Sequence, residues 1–242
     1  MVVFLLLIDL HLLGDFYLQT TKVACCKNAS IGLRCGKCNK CKNTSWVNWK
    51  YLIIHSLLYI VPFGVMFFIV EPIYATITIV SLLVTHILVD AVTCYFNKKT
   101  KQTIVFIVDQ TLHLAILSLI TQLVTISNCV SNYLDALKVI FLCLALIMPC
   151  SLIINKLFKD IYPSTEEIGI FDVGSIIGVM ERILTVVFAY FDSFPAIAII
   201  ISVKTWARAN DLKEPEFRNK YLLGTLTSLV LALLIFIVYK SV

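Results

Sequence analysis

The sequence predicts an all-α protein, a polytopic bundle of about eight transmembrane helices with both termini on the outer face. Three observations predict it. Hydrophobic residues make up 60% of the 242 and charged residues only 14%, with a mean hydropathy of +0.92, far more apolar than a soluble domain of this size. The apolar residues fall in runs close to the ~20 residues that cross a hydrocarbon core. The basic residues cluster in alternate connections.

The runs break at charge clusters and at Pro or Asn, placing helices near 2–19, 51–70, 72–95, 104–126, 134–155, 170–191, 195–208 and 221–240. The first and seventh are short or thinly flanked, so seven spans with one re-entrant segment is the alternative. MVVFLLLIDL at the start has no basic n-region and no small-residue cleavage site after it, so helix one is expected to be retained rather than removed as a secretory signal. Of the twenty Lys and Arg, all but Lys138, Arg182 and Lys240 fall in or beside 20–50, 98–101, 156–159 and 204–220. The positive-inside rule makes those connections cytoplasmic. The net charge of +5 then belongs to loops facing anionic lipid, and nucleic acid is not an expected partner. The whole chain is read as one integral membrane domain, 1–242, with residues 21–50 as a cysteine-rich basic cytoplasmic loop.

Polar residues inside the spans carry the chemistry. HLLGDFYLQ places His11, Asp15 and Gln19 at i, i+4, i+8, one stripe of a helix. All four histidines lie in or beside spans. Three sit one turn from an aspartate: His11 with Asp15, His86 with Asp90 in HILVD, and His113 with Asp109 in DQTLH. Ionisable groups within a bilayer cost several kcal/mol on common scales. Counted from the cytoplasmic ends, Asp15, His55, Asp90 and Asp109 form a layer roughly 8 Å deep, and His11, His86 and His113 one roughly 14 Å deep. The reversed order in DQTLH is what an oppositely running helix needs to match those layers. Imidazole and carboxylate are ligands of Zn²⁺ and other first-row divalent ions. The expected metal ligands are therefore His11, Asp15, His86, Asp90, Asp109 and His113, with zinc the leading ion and His55 moving protons. A single such pair would be read as a helix-to-helix hydrogen bond.

In GSIIGVMER, Gly174 and Gly178 form a small-xxx-small face that predicts close helix approach, and Glu181 continues it into the bundle. Glu181 is a candidate general base or further ligand, or else the ion-pair partner of Arg182 or Lys204. Lys204 and Arg208, at i, i+4 in VKTWAR, are candidates to clamp a phosphate or carboxylate of a substrate, with Gln19 as a third substrate-binding candidate; the alternative is snorkelling to headgroups beside Trp206. In the first loop, Cys35, Cys38 and Cys41 give C-x2-C-x2-C, and Cys25 or Cys26 completes four thiolates for a structural zinc. Cys26, Cys35, Cys38 and Cys41 are taken as that set. A reducing cytoplasm disfavours disulfides there.

HLLGDFYLQT, the isolated His55, THILVD, DQTLH, IGVMER, KTWAR and YLLGTLTSL, in that order, resemble the bacterial membrane family called domain of unknown function 3307. The likeness runs through nearly the whole chain, with HxxGDFxxQ and GTLxS its most specific motifs. It implies a multi-pass protein of the bacterial inner membrane and no particular activity. The cysteine-rich stretch between His11 and His55 departs from that pattern as an insertion. The polar motifs also resemble, more loosely, those of membrane-bound metal-dependent hydrolases.

Three functions follow. The first is a metal-dependent hydrolase opening to the inner leaflet, acting on a lipid or phosphorylated small molecule. The second is a transporter of divalent cations or protons through the same pairs, which resemble the zinc sites of cation-diffusion facilitators. The third is a non-catalytic membrane effector or scaffold. Transporters place their site at the midplane between repeats; an off-centre site without an evident repeat favours the hydrolase.

Overall fold

A computed structural model describes residues 1–27, 47–97, 100–122, 124, 132–163 and 173–242. Every regular element among them is helical. The helices are α1 (Val2–Leu12), continued by a π-helical turn Leu13–Tyr17, α2 (Thr21–Lys27), α3 (Trp49–Ile69), α4 (Pro72–Phe96), α5 (Gln102–Thr121), α6 (Leu134–Ile161), α7 (Val173–Tyr190), α8 (Phe194–Ala207) and α9 (Pro215–Ser241). Within α3, Pro62 cannot donate to the α-helical ladder, and Val61–Val65 tightens to 3₁₀ geometry.

Six of these helices, α3 to α7 and α9, are long and apolar enough to cross a membrane. The other two expected crossings are the ones whose sequences are short. Val2–Tyr17 reaches at most about 24 Å and α8 about 21 Å at 1.5 Å per residue, against a core of about 30 Å. The expected first helix, 2–19, stops at Tyr17, so Gln19 lies beyond it.

The chain divides into two compact units, Met1–Phe141 and Leu142–Val242, where the sequence suggested one continuous domain. In the first unit α4 explains the inside-out character. Ile73, Ile77, Val80, Val84 and Leu88 are exposed along one face. Ala75, Thr78, Leu82, His86 and Asp90 are buried on the other. Both sets follow helical spacing, and it is the buried face that carries the charge, as expected of a helix whose solvent is lipid. Leu7, Tyr59, Phe63, Met66, Leu82 and Leu117 make the apolar core against which these polar groups are held.

The second unit has its own core of Leu146, Val186, Ala189, Ile197, Ala232 and Phe236. Pro149 lies inside α6 and removes one ladder bond there. Arg182, 3% exposed, donates from Nε to the Leu146 carbonyl at 2.8 Å and from Nη2 to Ser151 Oγ at 2.8 Å. A buried guanidinium thus serves the polar backbone next to the proline.

Candidate metal centre

Four helical segments of the first unit converge on a buried polar cluster. The π turn supplies Asp15, α3 supplies His55 and Tyr59, α4 supplies His86, Asp90 and Thr93, and α5 supplies Asp109, Gln110 and His113. The approach of the π turn to α3 depends on Gly14. A Cβ there would collide with the Tyr59 carbonyl oxygen, so only glycine lets the two backbones come this close.

The centre of the cluster is His55 Nε2. It lies 3.1 Å from Asp15 Oδ1, 3.2 Å from Asp90 Oδ2 and 3.0 Å from His86 Nε2. His86 Nε2 is in turn 3.5 Å from Asp90 Oδ2. A tetrahedral ion with bonds of about 2.0–2.1 Å sets its ligand atoms roughly 3.3 Å apart, so these four separations have the length of tetrahedral edges. One N–H of His55 faces three acceptors and can satisfy only one of them well, while His55 Nδ1 has no partner among the described residues. A site over-supplied with acceptors fits a cation. Asp15, His55 and His86, and likewise His86, Asp90 and His113, are buried groupings able to hold a metal ion.

The surrounding hydrogen bonds fix the rings. His113 Nδ1 donates to the Asp109 carbonyl at 2.9 Å, because a carbonyl only accepts. In the neutral ring its Nε2 then accepts from His86 Nδ1 at 2.8 Å. That leaves His86 Nε2 with a lone pair aimed at His55 and Asp90. Tyr59 stacks flat on His86, with centroids 3.8 Å apart. Gln110 Nε2 donates to Asp15 Oδ2 at 2.9 Å and Asp109 Oδ2 at 3.1 Å. Its Oε1 therefore faces His11 Nε2 at 3.2 Å, and His11 Nδ1 accepts from the Tyr59 hydroxyl at 3.4 Å. Thr93 donates to Asp109 Oδ1 at 3.0 Å.

Lys27 closes the cluster, its ammonium 2.9 Å from Asp90 Oδ2. Burial works against its charge, but Asp90, Asp15 and Asp109 more than offset this and hold its pKa above the ordinary lysine value. The Lys27 carbonyl accepts from the Asn48 amide at 3.2 Å, which ties the end of α2 to the start of α3.

The structure thus sorts the residues named from sequence. Asp15, His86 and Asp90 are together, and His55, expected to move protons, stands among them. His11 has both ring nitrogens engaged by Gln110 and Tyr59, so it supports the cluster where a direct ligand was expected. His113 can join a grouping with His86 and Asp90, and its hydrogen bonds make it the group that orients His86. Asp109 reaches Asp15 through Gln110. Asp15, His55 and Asp90 meet, His11 stacks on His113 with ring centroids 5.3 Å apart, and His86 touches His55 and His113. Gln19 folds back to donate to the Asp15 carbonyl.

In the second unit Glu181 pairs with Lys204 at 2.6 Å, the ion-pair alternative drawn from sequence. It is Arg182, its neighbour, that is fully buried. Arg208 pairs with Asp211 at 3.2 Å on the surface. Cys35, Cys38 and Cys41 lie outside the described residues. Cys26 is buried, and with the other three cysteines outside the described residues the zinc set taken from spacing lies outside them too.

Four members of the cluster escaped the sequence reading. Tyr59 is one turn from His55 in HSLLY, Gln110 adjoins Asp109 in DQTLH, and Thr93 follows Asp90 by three residues. Helical spacing from the marked residues could have found each. Lys27 had no such signal, since it reaches Asp90 only because α2 folds against α3.

Fold and cluster together define a multi-pass helical membrane protein with a buried His/Asp centre. Residues 32–144 match the family DUF3307, "Protein of unknown function", which bears out the resemblance seen in the motifs. That stretch includes His55, His86, Asp90, Asp109 and His113, whereas HLLGDFYLQ and the C-terminal motifs lie beyond it. Searches of curated proteins and of solved structures find no match to the chain.

Proposed function

We propose that the protein is a divalent-metal-dependent hydrolase of the membrane, with zinc as the leading ion and a lipid or other phosphoester as substrate. The observation that carries this reading is the placement of Asp90 and Lys27 beside the donor set of Asp15, His55 and His86. Three protein ligands with one position left open is the arrangement of catalytic zinc. When bound there, the metal would supply Lewis acidity and lower the pKa of water. Asp90 is the residue positioned to take a proton, and the Lys27 ammonium the one to meet negative charge developing on a substrate oxygen. His113 and Gln110 keep His86 and Asp15 aimed.

The ammonium repels a resident cation and a passing one alike, so it does not separate the hydrolase from a transporter. One observation favours the transport reading: the His55, His86 and His113 nitrogens form a chain with links of 3.0 and 2.8 Å, as a proton relay requires. Reconstitution separates the two. Vesicles of phosphatidylglycerol and phosphatidylethanolamine containing the full chain should release phosphate or headgroup with zinc or manganese, and stop doing so with Asp90→Asn. If the vesicles instead equilibrate zinc or protons across the bilayer and hydrolyse nothing with either metal, the hydrolase reading fails. The bacterial inner membrane implied by the family resemblance is the proposed location.

A further inference from the structure

The second unit contains a cavity of about 770 Å³, within the range of about 300–1,000 Å³ typical of small-molecule sites. Its origin is local. Gly174 and Gly178, expected from sequence to draw helices together, border open space: among the described residues a Cβ at Gly174 would meet nothing within 4 Å, and one at Gly178 would meet only Arg182 Nη1, at 3.6 Å. With Ser175 and Thr225 they border a space along α7 and α9, with α6 and α8 contributing the remaining wall; Gly224 packs against Phe158 at its edge.

The lining is amphiphilic and ordered along the helices. Lys204 and Arg208 stand at the end of α8, and Lys220 near the start of α9, so all three flank the short connection between those helices. Phe158, Ile199, Ile200 and Val203 form apolar wall. Arg182 and Ser228 lie further along, hydrogen-bonded to each other at 3.2 Å. The lining holds four cationic side chains and one carboxylate, Glu181. Asp211 and Glu216, the partners of Arg208 and Lys220, are exposed and stand outside the wall. Exposed ion pairs of this kind contribute little, so both cations are free to turn to an incoming anion.

We propose that this cavity binds a phosphate-bearing lipid, its phosphate between Arg208 and Lys220, beside the Lys204–Glu181 pair, and one acyl chain along Phe158, Ile199, Ile200 and Val203. Cations at the helix ends with apolar wall beyond them match the order of headgroup and chain in a leaflet. Planar guanidinium and ammonium donors suit phosphate oxygens. The site is formed wholly within the second unit and does not depend on the His/Asp centre.

Native mass spectrometry of the detergent-purified full chain, mixed with phosphatidylglycerol or phosphatidylcholine, tests this. Wild type is expected to retain one phosphatidylglycerol where phosphatidylcholine is stripped, and excess inorganic phosphate is expected not to displace it. Gly178→Leu, which fills the space without changing charge, and Arg208→Gln with Lys220→Gln should each lower retention about tenfold, while His86→Ala should not. Equal retention of phosphatidylcholine, or undiminished phosphatidylglycerol on both folded cavity variants, would mean ordinary annular lipid and overturn the assignment. Displacement by inorganic phosphate would overturn the lipid in favour of a free-anion site.

Discussion

At the scale of single residues the centre separates groups that face the proposed ion from groups that aim them. His113 is the clearest of the second kind, since its Nε2 takes the His86 Nδ1 proton at 2.8 Å. Removing such a support typically costs 10–100-fold in metal affinity. His113→Ala is therefore expected to weaken zinc binding by about that factor in competition with a chromophoric chelator, and unchanged affinity would show that His86 needs no such orientation. Lys27 behaves differently. In Lys27→Gln, Asp90 loses its 2.9 Å partner, and uncompensated buried charge is strongly destabilising. The thermal unfolding midpoint of this variant should rise on adding zinc by more than that of wild type. An equal rise in both would contradict the pairing. The His/Asp pairs were legible in the sequence because one-turn spacing is a local property of a helix. Which nitrogen faces which oxygen was not legible, because Gln110, Tyr59 and Thr93 are polar residues with many ordinary uses.

At the scale of elements, close backbone approach decides the geometry. Gly14→Ala would drive a methyl into the Tyr59 carbonyl, and overpacking of this sort costs about 1–3 kcal/mol. The variant is expected to unfold at lower temperature and to lose metal affinity as Asp15 shifts; full stability and full affinity together would remove Gly14 from the account. Helix positions were read well from hydropathy, since long apolar runs leave few alternatives. Their ends were not. The π turn at Leu13–Tyr17 and the 3₁₀ segment at Val61–Val65 arise from packing and from Pro62. Small residues misled in the opposite direction: GSIIG reads as a contact motif, yet Gly174 and Gly178 border space. Spacing alone does not say whether a neighbouring helix fills the gap.

At the scale of the whole molecule, the crossings determine where the ends lie. If α1 and α8 both cross, or neither does, the termini share a face; if one alone crosses, they do not. Basic residues in alternate connections lead us to propose that both termini face outward. Epitope tags at the two ends should react with a membrane-impermeant reagent equally, from outside, in intact cells. Reaction of one end alone would give an odd number of crossings. Hydropathy made the membrane class plain from composition, whereas the division into Met1–Phe141 and Leu142–Val242 has no mark in the sequence because the boundary falls inside one continuous helix, α6. The central claim is that Asp15, His55 and His86, with Asp90 beside them, form a site for a divalent ion. Its most direct test is elemental analysis of the gently purified full chain after zinc loading, beside His55→Ala with His86→Ala, and His11→Phe. One equivalent in wild type and in His11→Phe, lost in the folded double variant, is the predicted result. Zinc-free wild type, or a double variant that keeps the full equivalent, would contradict it.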